Sequence, residues 1–181
     1  MASVMKLFTL TTIIFAILFS GCAQKKNLSY SEQIKERTKY YSSLSEAEQI
    51  KAVTQHWWKV QFINTPSYNV QKAAIESSPR AIEEIKNPTK EIQILAINKI
   101  MKDGSFNIAL TKLIEKFDEE AQIVAIKHNP QIIKFITYPS EKVQLEAVKI
   151  NPFVIKNIIN ATPKAKQEAL KYNPRVAKFL R

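Results

Sequence analysis

Residue types that carry covalent, acid–base or metal chemistry are scarce in this chain of 181 residues. It has 1 cysteine, Cys22, and 2 histidines, His56 and His128, set far apart. One cysteine allows no intrachain disulfide and no zinc or iron–sulfur site built from several thiolates. The histidines lack the one-turn spacing of an HExxH-type metal pair. With 2 glycines, Gly21 and Gly104, the chain can build neither a phosphate-cradling P-loop nor a dinucleotide-binding turn. No metal and no cofactor are expected. Carboxylates do gather, at Asp103, Asp118, Glu119 and Glu120, and a carboxylate pair can act as acid and base. Yet Asp118-Glu119-Glu120 opens a helical pattern, where acidic side chains stabilise the positive end of the helix dipole. That account needs no substrate, so the chain is not expected to be an enzyme.

The cysteine sits in a telling place. Lys6 is the only charge before residue 25, and it is followed by a 13-residue apolar stretch from Leu7 to Phe19, then Ser20-Gly21-Cys22. A basic start, a short apolar run and small residues at a cut are the parts of a secretory signal peptide. Thirteen residues of helix reach about 20 Å, short of the roughly 30 Å hydrocarbon core of a bilayer. Ser20, Gly21 and Cys22 resemble the lipobox of bacterial lipoprotein precursors, with Phe19 where leucine is usual and Leu18 one place earlier. The resemblance implies cleavage before Cys22, a diacylglycerol thioether on its sulfur and an acylated new amino terminus. One acyl chain binds a membrane marginally, whereas two or more anchor stably.

The elements that follow are marked by proline. All 8 prolines lie between residues 66 and 174, and seven of them follow Asn, Ser or Thr: Pro66, Pro79, Pro88, Pro130, Pro152, Pro163 and Pro174. A side-chain oxygen at the N-cap accepts a bond from an orphan helix amide, and proline next to it has helical φ and wastes no donor. These dipeptides therefore read as helix starts, and Asn129, Asn151 and Asn173 as caps. Pro130, Pro152 and Pro174 are 22 residues apart, as are Pro66 and Pro88. Ala52, Ala74 and Ala96 keep the same spacing, and so do Ala125, Ala147 and Ala169. Between Ala96 and Ala125 the step is 29, and the excess falls near Met101–Ser105, around Gly104. Each unit reads as two helices of about 8–10 residues, too short to be stable alone, so neighbours must bury their faces by stacking.

The unit Asn-Pro…Ile-x-x-Ile…Val-Gln-x-x-Ala-Val-x-x-Asn-Pro resembles the leucine-rich-repeat variant group of short all-helical repeats, over residues 44–181 and most closely in the last three units. Gln71, Gln93, Gln122 and Gln144 stand where that group often has arginine. Some members carry an iron–sulfur module, which one cysteine forbids here. The resemblance implies a binding scaffold and no chemistry.

Charge supplies the remaining candidate surface. Lys+Arg number 27 against 16 Asp+Glu, a net of +11. Residues 44–122 hold 10 basic and 11 acidic side chains, whereas residues 123–181 hold 11 basic against Glu141, Glu146 and Glu168, a net of +8. Lys127, Lys149 and Lys171 follow the alanine in register, and Lys134, Lys156 and Lys178 follow the proline. A stacked fold turns register into columns, which could meet anionic lipid head groups, lipopolysaccharide phosphate or an acidic protein. A solvated face accounts for them equally. Nucleic acid is the poorer partner, since export removes the chain from most of it and no aromatic platform interleaves these lysines. Tyr40, Tyr41, Trp57, Trp58, Phe62 and Tyr68 gather near the first repeat, as a binding patch or as the closure of an open core end.

The sequence thus predicts an all-α chain, an α-solenoid of about six two-helix repeats with period 22. Its parts are a signal peptide at 1–21, a lipidated N-terminus, tether and capping helix at 22–43, and a repeat domain at 44–181. The expected function is a membrane-anchored bacterial envelope lipoprotein, at the outer membrane facing the periplasm, that binds a protein partner without catalysis. The alternative is a polyanion-binding module using the lysine columns.

Overall fold

The structure is a computed structural model that describes residues 28–102 and 108–180. Cys22, the apolar segment before it and Asp103 lie outside the described residues. By contacts the chain divides into two units, Met1–Lys35 and Glu36–Arg181. In the first, Ser29 opens a helix: its backbone amide and its hydroxyl both donate to the Glu32 carboxylate, at 2.8 and 2.7 Å. The helix so started is α1, Tyr30–Ser43.

The second unit is all-α among its described residues, and α-helices alternate with 3₁₀ helices in chain order. After α1 come α2 (Glu46–Gln55), η1 (Trp57–Phe62), α3 (Tyr68–Ser77), η2 (Pro79–Glu83) and α4 (Lys90–Lys102). Then follow α5 (Ile108–Leu113), η3 (Ile114–Lys116), α6 (Glu119–His128) and η4 (Pro130–Phe135). The chain closes with α7 (Glu141–Ile150), η5 (Pro152–Asn157), α8 (Pro163–Tyr172) and η6 (Pro174–Phe179). α2 packs on α3, α3 on α4, α6 on α7 and α7 on α8, and α4 packs directly on α6 past the short α5. The expected second helix of a unit is therefore a 3₁₀ helix of five or six residues, or three in η3, rather than an α-helix of eight or more. Tight i→i+3 turns are usual for such short connectors.

The Asn-Pro dipeptide explains why two helix types meet without a loop. The Asn129 amide donates to Ala125 O at 2.9 Å, closing α6. Its Oδ1 accepts from the Gln131 amide and its carbonyl from the Ile132 amide, both at 3.0 Å, opening η4. Pro130 has no amide to place. Asn151 and Asn173 repeat the arrangement, with Oδ1 accepting from Phe153 and Arg175. Pro79 and Pro163 also start helices. Pro66 and Pro88 do not: they precede the capping residues Ser67 and Thr89, as Pro139 precedes Ser140. The helix start at those two dipeptides is thus displaced by two residues, because the hydroxyl after the proline is the better-placed acceptor.

The core forms one continuous cluster from Val53 to Val176. Ala74, Ala96, Ala125, Ala147 and Ala169 are fully buried, so the alanine series marks where helices approach closely. Ile75, Ile97, Ile126 and Val148, each one place later, are buried with them. Burial of an isoleucine or valine contributes about 1.5–3 kcal/mol.

Four glutamines are buried in this apolar stack, Gln71, Gln93, Gln122 and Gln144. Each is the fourth residue of its α-helix, and Gln49 holds the same place in α2. In all five, Nε2 donates to the carbonyl five residues back: Leu44, Pro66, Pro88, Phe117 and Pro139, at 2.9–3.1 Å. Two of them also reach forward to the next unit. Gln93 Oε1 accepts the Asp118 amide, and Gln144 Oε1 accepts the Thr162 amide, both at 2.8 Å. In the last repeat Lys166 takes the position and is exposed. Gln71 Oε1 is buried and has no partner. We expect Gln144→Leu to cost about 1–3 kcal/mol, since it strands the Pro139 carbonyl and the Thr162 amide. Gln71→Leu should cost less, because it removes an unpaired acceptor together with one good bond. Urea unfolding of the two variants side by side checks the order.

Candidate functional site

The six lysines of the proposed columns are all exposed. Lys127, Lys149 and Lys171 lie in the last turns of α6, α7 and α8, and Lys134, Lys156 and Lys178 in the last turns of η4, η5 and η6. A cation there complements the negative end of a helix. Lys127 reaches Glu146 of the neighbouring helix at 3.8 Å, and Lys171 reaches Glu168 of its own helix at 3.8 Å. Lys149 has no ion pair among the described residues. Ile150 and Tyr172, the next residue in each case, are exposed as well.

The second column stands on aromatic rings. Lys134 Nζ lies 4.8 Å from the Phe135 ring centre, and Lys156 and Lys178 lie 5.6 and 5.0 Å from the Phe179 ring. Phe153 meets Phe179 edge-on at 6.4 Å. Lys134 and Lys178 each lie over the ring of the next residue, whereas Lys156 reaches a ring distant in sequence that stacking brings to the same face. The rings are half-buried against the core, so they support the ammonium groups and the stems above them rather than forming a free stacking platform.

The aromatic group at the first repeat is partly core. Phe62 is buried, Tyr41 stacks on it at 6.0 Å and 20°, and Trp58 meets it edge-on at 6.1 Å. Arg37 lies over Phe62 and Lys59 over Tyr41. Ser42 Oγ donates to Phe62 O and accepts from the Asn64 amide, at 3.3 and 3.0 Å. These contacts let the end of α1 cover the first repeat. Tyr40 and Tyr68 stay half exposed.

The carboxylates near α6 are bound to neighbours instead of to each other. Glu119 accepts the Ser140 hydroxyl and pairs with Lys142 at 3.2 Å, while Glu120 pairs with Lys90 at 2.7 Å. The Ser140 hydroxyl, then Lys142, holds the Glu119 carboxyl below its ordinary value. Lys90 does the same for Glu120, and Glu120 in turn raises Lys90. A general acid near neutrality needs the opposite shift. Asp118 is the N-cap of α6 but makes no side-chain cap bond. His56 sits at the end of α2 with its ring near Trp58, and His128 Nε2 is 2.9 Å from Asn98 Oδ1. Among the described residues no group of three His, Cys, Asp or Glu is placed to hold a metal ion.

Three features were not foreseen from sequence. The glutamines knit the units; serine N-caps bind the acid of the preceding helix, as Ser67 with Glu46 and Ser140 with Glu119; and a cavity opens at the irregular unit. The first had a signal, since Gln49 stands one period before Gln71.

Because the Glu119 carboxyl is held down in the folded state, its bonds stabilise the fold above the ordinary value of 4.5 and are lost as pH falls below it. Carboxyl-carbon NMR should place the Glu119 titration below the ordinary value of 4.5, and Ser140→Ala should move it up. An unchanged midpoint in the variant would mean that the hydroxyl does not act on this group. Compared with known proteins, the chain matches no family model, and no curated protein and no solved structure is similar to it.

Proposed function

We propose that this chain is a membrane-anchored bacterial envelope lipoprotein whose helical-repeat surface binds a protein partner without catalysing a reaction. In this reading residues 44–181 form an α-solenoid of about six two-helix repeats with period 22, each repeat an α-helix followed by a 3₁₀ helix. The observation that carries it is the recurrence of one bonded unit, with the same glutamine bond in α2, α3, α4, α6 and α7. A stack of near-identical units offers repeated faces to an extended partner, and solenoids are built for that use.

The anchor rests on sequence. Cys22 follows a short apolar run and the lipobox-like Ser20-Gly21, and it is the only thiol in the sequence. Among the described residues no helix is long and apolar enough to cross a membrane, so attachment through acyl chains supplies what those helices do not. The absence of Asp after Cys22 favours the outer membrane, with the repeat body facing the periplasm. Mass spectrometry of the mature amino terminus tests the anchor. We expect a diacylglycerol thioether and an acylated amine on Cys22, and a Cys22→Ala variant that stays uncut and unlipidated. A variant held in the membrane at the same processed mass would overturn the reading.

A second reading has its own observation. The +8 of residues 123–181 is displayed in lysines that are exposed and, at Lys149, unpaired among the described residues. Such a face suits lipid head-group phosphate or lipopolysaccharide, where each cation near an anionic surface contributes about 1 kcal/mol. Lys127→Glu, Lys149→Glu and Lys171→Glu together should abolish binding to anionic vesicles at low salt. Undiminished binding across a salt series would retire the polyanion reading and leave the protein scaffold.

A further inference from the structure

The structure opens beside the step at which the period breaks. A cavity of about 520 Å³ lies between the turn after η2 and the end of η3. Its walls combine apolar Ile82, Ile85, Leu113 and Phe117 with the ammonium-bearing Lys86 and Lys116. The volume is in the range of small-molecule sites, which pair an apolar lining with a few polar groups that fix orientation.

We propose that this cavity is a binding site for a small organic carboxylate with an apolar body. The charge balance of its lining decides the sign of the ligand. Lys86 and Lys116 have no ion-pair partner among the described residues. Glu83, the one acid in the lining, is drawn to Arg80 at 3.8 Å. The lining therefore offers two cations above an apolar floor, which matches a carboxylate carried on a hydrocarbon or aromatic body. Gln93 does not compete for the ligand, since its amide is spent on Pro88 O and the Asp118 amide.

The wall of this cavity is itself incompletely bonded. Ile85, Lys86 and Asn87 also line a smaller cavity of about 170 Å³ on the side of Gln71. Gln71 is 6% exposed, and its Oε1 is a buried acceptor without a partner among the described residues. At the equivalent place Gln144 Oε1 takes the amide of Thr162, eighteen residues on, and the same step from Gln71 leads to Thr89. The Ile85–Asn87 turn thus stands between two spaces with one rung of bonding unmade. A ligand that draws Lys86 and the turn inward meets little opposing structure.

The inference is independent of the lipid anchor and of the lysine columns. To test it, the full chain in nanodiscs of zwitterionic lipid is titrated with phenylbutyrate and with phenylbutyramide, which shares the apolar body and lacks the charge. We expect saturable binding of the acid at one site. Binding should weaken about tenfold or more for the amide and for the acid with Lys86→Gln plus Lys116→Gln. Both lysines are exposed, so the fold should survive, and a circular dichroism spectrum verifies it. A Lys134→Gln plus Lys156→Gln variant should bind normally. Equal binding of acid and amide, equal loss in both lysine pairs, or no saturable binding would overturn the proposal. So would a short peptide ending in a phenylalanine carboxylate that binds better than phenylbutyrate, since it would give the site to a protein terminus.

Discussion

The backbone carbonyls in the turns before each α-helix must find donors inside a stack from which water is excluded. A buried carbonyl left without a partner costs about as much as several apolar contacts supply. The chain solves this with one side chain per unit. Glutamine carries a donor and an acceptor on the same planar group, so it can serve the turn before its own helix and, in Gln93 and Gln144, the cap of the next unit. Arginine would bring only donors and an unneutralised charge. The choice of glutamine therefore makes each interface between units both apolar and neutral, and it sets the depth at which each helix sits against its neighbour.

That bonding scheme leaves the surface free to vary. Helix ends carry lysine without cost to the core, and the acids that balance them are taken up by neighbouring helices, as Glu119 is by Ser140 and Lys142 and Glu141 is by Lys164. Toward the C-terminal units the acids run out, and the excess positive charge is what remains. The aromatic rings beneath the second lysine column belong to the core on one side and to the cations on the other. In this arrangement the lysine-bearing surface and the core-facing surface are opposite faces of the same helices. The irregular unit is the exception, since there the loss of register makes space within the stack itself.

Much of the architecture is legible in the residues. The proline and alanine spacings reveal the units, the Asn-Pro dipeptides reveal the junctions, and the 29-residue step reveals the irregular one. Asn129, Asn151 and Asn173 are caps because each directly follows the last turn of an α-helix, where its oxygen meets a free amide of the 3₁₀ helix that begins there. The 3₁₀ form of the second helix was not legible, because Ile-x-x-Ile spacing serves a three-residue and a 3.6-residue turn almost equally over so short a run. The displaced starts after Pro66 and Pro88 escaped notice for a similar reason: two capping oxygens flank each proline, and packing selects the later one. For the candidate sites, single residues were legible and their pairings were not. Nothing in the sequence alone couples Lys156 to Phe179, or Lys86 to Lys116.

Alone, the sequence determined the kinds of chemistry open to this protein, the repeat period, the caps and the bias of charge toward the C-terminal units. These follow from local rules, in which a side chain answers to backbone groups a few residues away. Tertiary structure decided which helix type fills the second half of each unit, which glutamine oxygens find an amide, and where a cavity opens. Those outcomes depend on groups one period or more apart, whose distance is set by how closely alanines let neighbouring helices approach. Across the longer step Gln93 still closes its bond to the Asp118 amide, while Gln71, inside the regular spacing, leaves its oxygen unpaired among the described residues, and only the packed chain could reveal that.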